Sequence, residues 1–200
     1  MDYKHWLANN FDKSTDWVFI TGASSGIGLS FLKILAAEKC NCLILSNEGP
    51  ELKKIARDLS KAHPIKVVPI VCDLAKIDEV LGLKEQLKTY RIKFLINNAA
   101  FGYKGDFLGS SAESIADLVT VNATAYTLIT HTVLPQMREM NCGAVISVSS
   151  LNIATPIPKS AVYTATKFYD WALSLAVAFE NAKYNIVFQA LLPGTTITPF

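Results

Sequence analysis

A tyrosine and a lysine stand four residues apart in "YTATK", residues 163–167, with a serine upstream at the end of "SVSS", residues 147–150. On a helix that spacing puts both side chains on one face. A free phenol has a pKa near 10 and is a poor base at neutral pH. An ammonium about 4–5 Å away, at an effective dielectric near 20, would favour the phenolate by roughly 3–4 kcal/mol. That equals about two to three pK units, enough to bring Tyr163 toward working pH. Ser150 could then hydrogen-bond an oxygen on which charge develops. Taken singly, the three also read as a core tyrosine, a solvated lysine and a strand-end cap.

A second pattern, "TGASSGIG" at residues 21–28, joins an apolar run to an amphipathic stretch. Gly22 permits a tight turn, and Gly26 and Gly28 let backbone come close to a pyrophosphate. Free amides at a helix start, Ile27 among them, together with the positive end of its dipole, hold an anion. Ser24 and Ser25 add hydroxyl donors. A glycine-rich turn can also be only a turn; its place after the first strand, opening a helix, favours phosphate.

The elements that must position these groups follow from hydrophobic patterning. Strands are expected at 17–22, 42–46, 66–72, 94–98, 144–150 and 185–194. Helices are expected between them at 26–39, 51–62, 77–88, 114–140 and 161–182. Near-continuous apolar strands alternating with helices call for a parallel sheet covered on both faces. Pro69 fits an edge strand. Residues 1–16 read as an N-terminal segment, either a short surface helix or an ordered tail, with a partner-binding arm as a further reading. Residues 17–200 read as one dinucleotide-binding and catalytic domain.

Composition narrows the classes. The chain has 200 residues, 50% hydrophobic and 18% charged, with a formal net charge of +2. No basic run marks a nucleic-acid surface, and no apolar run marks a signal peptide or a membrane span. Cys40, Cys42, Cys72 and Cys142 lack metal-ligand spacing and read as free thiols of a reducing compartment, so no metal is expected and a cytoplasmic location is.

With the glycine turn and the tyrosine motif together, the chain resembles the short-chain dehydrogenase/reductase family. "CDL" at 72–74, "NNAA" at 97–100, "VNATA" at 121–125, "SVSS" at 147–150 and "PGTTIT" at 193–198 extend the resemblance over nearly the whole chain. It implies an α/β, three-layer, Rossmann-like doubly wound parallel sheet of six strands in order 3-2-1-4-5-6. It implies hydride transfer between a nicotinamide cofactor and a small-molecule alcohol or carbonyl. Tyr163 would be general acid/base, Lys167 would also reach the nicotinamide ribose, and Asn122 would open its helix and bind a water in a proton relay.

The cofactor side implied by the resemblance is Gly22, Ser24, Ser25, Gly26, Ile27, Gly28, Asn47, Asp73, Leu74, Asn98, Ala99, Ala100, Tyr163, Lys167, Pro193, Gly194 and Thr196. Asp73 either accepts from the adenine amino group or caps a helix. Ala100 stands where the family usually has glycine. Phe101, Tyr103, Phe107, Ile153 and Ile157 either line an apolar substrate pocket or are ordinary packing. Members of this branch tend to carry Ala-Arg-Arg after the second strand; here Ser46, Asn47 and Glu48 occupy those places. Lacking an arginine for a 2′-phosphate, the chain reads as taking NAD(H) or NADP(H), with the balance toward NAD(H).

The resemblance also implies a substrate lid and a seventh strand beyond this stretch, so a C-terminally short chain is expected. A catalytically degenerate relative, binding a dinucleotide or a protein partner without turnover, is the alternative. A nucleotide-sugar isomerase or dehydratase would carry a differently spaced TGxxGxxG turn. A homodimer through helices 114–140 and 161–182 is the partner expected.

Overall fold

The computed structural model describes residues 2–194 and residue 196. Among them six strands form one parallel sheet in the order β3-β2-β1-β4-β5-β6. They are β1 (Asp16–Thr21), β2 (Asn41–Ser46), β3 (Val67–Val71), β4 (Arg91–Asn97), β5 (Gly143–Val148) and β6 (Ile186–Leu191). The fold is the doubly wound, Rossmann-like one that the alternation of strands and helices requires. The order reverses between β1 and β4, and there the carboxyl ends of neighbouring strands open a crevice.

Alternation along each strand builds two cores. Val18, Ile20, Ile44, Phe94, Ile96 and Ile146 pack on one face, with Leu32 and Leu35 of α2 (Gly26–Ala37) and Leu52 and Ala56 of α3 (Gly49–Ala62). Phe19, Leu43, Leu45, Leu95 and Val145 pack on the other, with Val80 and Leu83 of α4 (Ile77–Leu87) and Ile129 and Val133 of α6 (Tyr126–Glu139). Helix α7 (Ala161–Glu180) packs beside them against β5 and β6. A strand buried on both faces has no polar side to show, which is why these runs are continuously apolar.

The N-terminal segment forms a short helix, as expected, packed on the domain through one buried side. Helix α1 (Tyr3–Asn10) is capped by Asp2, whose carboxylate accepts from Lys4 N and His5 N. It buries Trp6, Leu7 and Phe11 in the first cluster, with Trp6 edge-on to Phe94 at 5.5 Å. A buried ionic knot fastens it. Asp16 is wholly enclosed and holds Arg91 Nε at 2.8 Å and Lys93 Nζ at 3.1 Å, while Lys93 also donates to Asn10 O.

The single long helix expected at 114–140 is three pieces. Helix α5 (Ala112–Val119) passes through a wider π-helical turn at Thr120–Ala125 before α6 begins. Pro69 stands on β3, an edge strand, as expected. All four cysteines are free thiols. Among the described residues no helix is long and apolar enough to cross a membrane.

Candidate active site

The glycine turn leaves β1 at the centre of the sheet's carboxyl edge. Gly22 and Gly26 have φ of +65° and +53°, the left-handed region that side chains disfavour. A Cβ on Gly22 would come within 2.8 Å of Ala99 Cα, and one on Gly28 would collide with Gly22 O. The turn and the helix start are therefore in direct backbone contact. Asn98 holds them there. Its Nδ2 donates to Thr21 O at 3.0 Å and Gly22 O at 3.1 Å, while the Thr21 hydroxyl accepts from the backbone N–H of Asn98 and Ala99. Ser25 occupies the N-cap of α2 without a side-chain capping bond, so the first amides at Gly26, Ile27 and Gly28 are not engaged by it. That start fits an anion.

Next to the turn, the Ser24 and Ser46 hydroxyls meet at 2.9 Å, and Ser46 also accepts from Glu48 N. Asn47 and Glu48 are exposed. Asp73 accepts from Ala75 N and pairs with Lys76 at 3.7 Å, so it closes a local turn; Lys76 takes the N-cap of α4. Leu74 is buried in the second core, and Ala99 and Ala100 are half-buried at the end of β4.

Asn122 sits in the π turn and is buried. Its Oδ1 accepts from Phe101 N, and its Nδ2 donates to Phe101 O and to the Thr166 hydroxyl. Its side chain thus joins the loop after β4 to α7. The extra residue in that turn lets the amide reach both.

Ser150 follows β5, and its hydroxyl hydrogen-bonds the Tyr163 phenol. Burial lifts that phenol above its ordinary pKa, the Ser150 bond draws it partly back, and the Asp170 charge adds to the rise. Lys167, expected to lower the phenol's pKa, is itself held in the interior. The Lys167 ammonium donates to Val148 O at 2.8 Å and to Asp170 Oδ2 at 2.9 Å, both within the interior. Asp170, the buried partner of Lys167, is a residue of this site that sequence reading missed. Its signal was a Lys-x-x-Asp spacing, which on most helices is a surface pair.

Tyr103, Phe107, Ile115, Leu118 and Val162 line, with Tyr163, a recess of about 20 Å³. Of the five aromatic and aliphatic pocket candidates, Tyr103 and Phe107 border this recess; Phe101, Ile153 and Ile157 do not. Pro193 O accepts from Leu151 N, and Thr196 donates to Gly194 O, so the turn after β6 stands beside the segment that follows Ser150. The rest of "PGTTIT", at 195, 197 and 198, lies outside the described residues.

The short chain dehydrogenase model matches residues 16–200. The chain belongs to that family. The chain is 31% identical to the inactive hydroxysteroid dehydrogenase-like protein 1 of Homo sapiens over 180 residues, 88% of this chain and 54% of that protein. It is 27% identical to very-long-chain 3-oxoacyl-CoA reductase-A of Danio rerio, over 96% of this chain and 62% of that protein. The chain therefore spans less than two thirds of the length of these curated relatives. Among solved structures, a short-chain dehydrogenase from Sphingobium yanoikuyae in complex with NADPH superposes with a TM-score of 0.88 at 30% identity, covering 92% of this chain and 72% of that one.

Proposed function

We propose that this chain binds a nicotinamide dinucleotide across the carboxyl ends of β1, β2 and β4 and exchanges a proton between Tyr163 and an alcohol or carbonyl oxygen. The observation that carries this reading is the hydroxyl pair of Ser150 and Tyr163 on the same sheet edge as the glycine turn. Bound there, the nicotinamide supplies or accepts a hydride; the rest is the work of this chain's own groups.

Gly22, Gly26, Ile27 and Gly28 suit the pyrophosphate, since they lie at the start of α2 where a Cβ on Gly22 or Gly28 would collide with backbone. Ser24 and Ser25 border it. Asp73 and Leu74 flank the adenine side, and Asn47 the adenosine ribose. Asn98, Ala99 and Ala100 form the floor, with Pro193, Gly194 and Thr196 at the far rim. Exposed Glu48, with no arginine beside it, favours NAD(H) over the 2′-phosphorylated form. Ser150 orients the substrate oxygen while Tyr163 gives or takes its proton. Asn122, with Thr166, sets the helix that carries Tyr163; its part in a water relay belongs to the same reading. The apolar recess beside Tyr163 favours a hydrophobic alcohol or ketone.

A second reading, dinucleotide or partner binding without turnover, is favoured by the Lys167–Asp170 pair, which occupies the group that should assist the phenol. Titrating the protein with NADH and NADPH by fluorescence, then assaying wild type and Tyr163→Phe on a carbonyl panel, separates the two. Turnover that disappears in Tyr163→Phe supports the enzyme. Binding without Tyr163-dependent turnover supports the second reading; absence of binding to either nucleotide overturns the enzyme and leaves only partner binding. Exposed Phe168, Leu175 and Phe179 on α7 favour a homodimer through this helix and α5–α6, to be read by sedimentation.

A further inference from the structure

Two loops meet at the mouth of the recess that Tyr163 borders. One follows β4 and carries Tyr103, Lys104, Phe107 and Leu108; the other follows β5 and carries Ile157 and Lys159. The backbone N–H of Gly105 donates to Lys159 O at 2.9 Å, and Tyr103, Phe107 and Lys159 line the same recess, so the loops form one surface. That surface is held in shape. The Asp106 carboxylate caps the single 3-10 turn Phe107–Gly109 by accepting from Leu108 N, and Ser160 N–H donates to Ile157 O.

Its outward side is apolar. Leu108 is 87% exposed, Phe107 58%, Ile157 46% and Tyr103 37%. Single exposed apolar residues are ordinary on any protein; four on one pair of joined loops mark an interaction site. Lys104 and Lys159 stand among them, both exposed, and neither has an ion-pair partner among the described residues. Asp106 is the only carboxylate in 101–110 and 151–160, and it is engaged at its cap.

We propose that these two loops dock on an anionic lipid surface, with Phe107, Leu108 and Ile157 entering the headgroup boundary and Lys104 and Lys159 meeting lipid phosphates. Separate apolar tips with cations between them suit a fluid bilayer, which moulds around each tip; a protein partner needs a continuous, shape-matched face. Attraction of the lysines to anionic headgroups adds to the apolar burial. Docked in this way, the recess opens toward the bilayer, where a hydrophobic alcohol or ketone is dissolved. That consequence rests on the reading above; the docking itself does not.

The test sediments the chain, without nucleotide, with vesicles of phosphatidylcholine alone and of equimolar phosphatidylcholine and phosphatidylserine. Wild type is expected to bind the mixed vesicles at least about fivefold more tightly than the neutral ones. Leu108→Ser/Ile157→Ser changes two exposed residues outside the recess lining and should weaken that binding about tenfold or more. Lys104→Gln/Lys159→Gln should bring the mixed vesicles down to the neutral level. Leu81→Ser, at a 55% exposed position on α4, should change nothing.

No association with the mixed vesicles overturns the proposal, as does equal binding to the neutral ones. So does binding that survives in Leu108→Ser/Ile157→Ser or falls equally in Leu81→Ser. Self-association that Leu108→Ser/Ile157→Ser abolishes, with vesicles left unbound, would give this surface to a second copy and also overturn it. The unmodified chain supplies a second measurement if a variant fails to fold. Mixed vesicles should slow hydrogen exchange in segments 101–110 and 155–160 and leave α4 unaffected; protection confined to another face overturns the docking. Failure to bind NADH or NADPH would sink the functional reading and leave these vesicle results standing.

Discussion

The amide of Asn122 donates to the Thr166 hydroxyl at 3.0 Å, and Thr166 in turn donates to Tyr163 O. A widened turn in one helix thereby sets the height of the tyrosine on another. Asn122→Ala would remove three bonds and strand Phe101 N–H and C=O, both beside a buried side chain. Unfolding in urea should show a loss of about 2–4 kcal/mol. Thr166→Val, which removes the bond to Asn122 and the local one to Tyr163 O, should cost about 1–2 kcal/mol. Equal costs in the two variants would count against Asn122 as the tie.

Gly22 has a left-handed φ and no room for a Cβ, whereas Gly28 has only the second constraint. Gly22→Ala should therefore lose about 1–3 kcal/mol of stability and nearly all nucleotide binding. Gly28→Ala should weaken NADH binding at least about tenfold by forcing the first turn of α2 off Gly22 O. Unaltered affinity in Gly28→Ala, measured by fluorescence titration, would dismiss the pyrophosphate site.

Asp16 neutralises two cations at the amino end of the sheet, and Lys93 is mostly enclosed with it. Asp16→Ala should cost about 3–5 kcal/mol, because it leaves a buried ammonium without its partner. Arg91→Ala, at a half-exposed position, should cost about 1 kcal/mol or less. Thermal unfolding of both variants would show whether the ranking holds.

Stability should carry the signature of Asp170. Its folded pKa, about 6, lies above its ordinary carboxyl value. The native state therefore keeps a proton that the unfolded chain has released between about pH 4 and pH 6. A raised pKa contributes stability that is fully present below the unfolded value and is lost as pH rises through the folded one. Relative to Asp170→Asn, wild type should weaken by about 1.4 kcal/mol per pH unit across that window and level off above it. A difference between the two proteins that is flat from pH 4 to pH 7 would contradict the buried carboxylate.

Much of the sheet was legible because its strands are covered twice. A run such as "WVFIT" or "CLILS" has little alternative to a central parallel strand, and the glycine turn after the first fixes where the crevice opens. The limits of legibility lie where a side chain's direction depends on a distant partner. "YTATKFYD" shows that Lys167 can meet either Tyr163 or Asp170, one turn in each direction. The seating of α7 against β5, with Val148 O below, is what brings Lys167 to Asp170 in the interior. Asn122 looked misplaced in a helix, yet its π turn depends on Phe101 and Thr166, 21 and 44 residues away. Residues 1–10 show weak amphipathicity, so the burial of Trp6 became visible only with Phe94 in place.

The ionic knot around Asp16 divides the molecule's labour. It fastens the N-terminal helix at the amino ends of β1 and β4, and the candidate chemistry sits at their carboxyl ends, one strand length or about 20 Å away. A dye or surface tether carried on the outer side of that helix should therefore report the loosening of the whole body without touching the working edge. Trp6 already offers a built-in version of such a reporter.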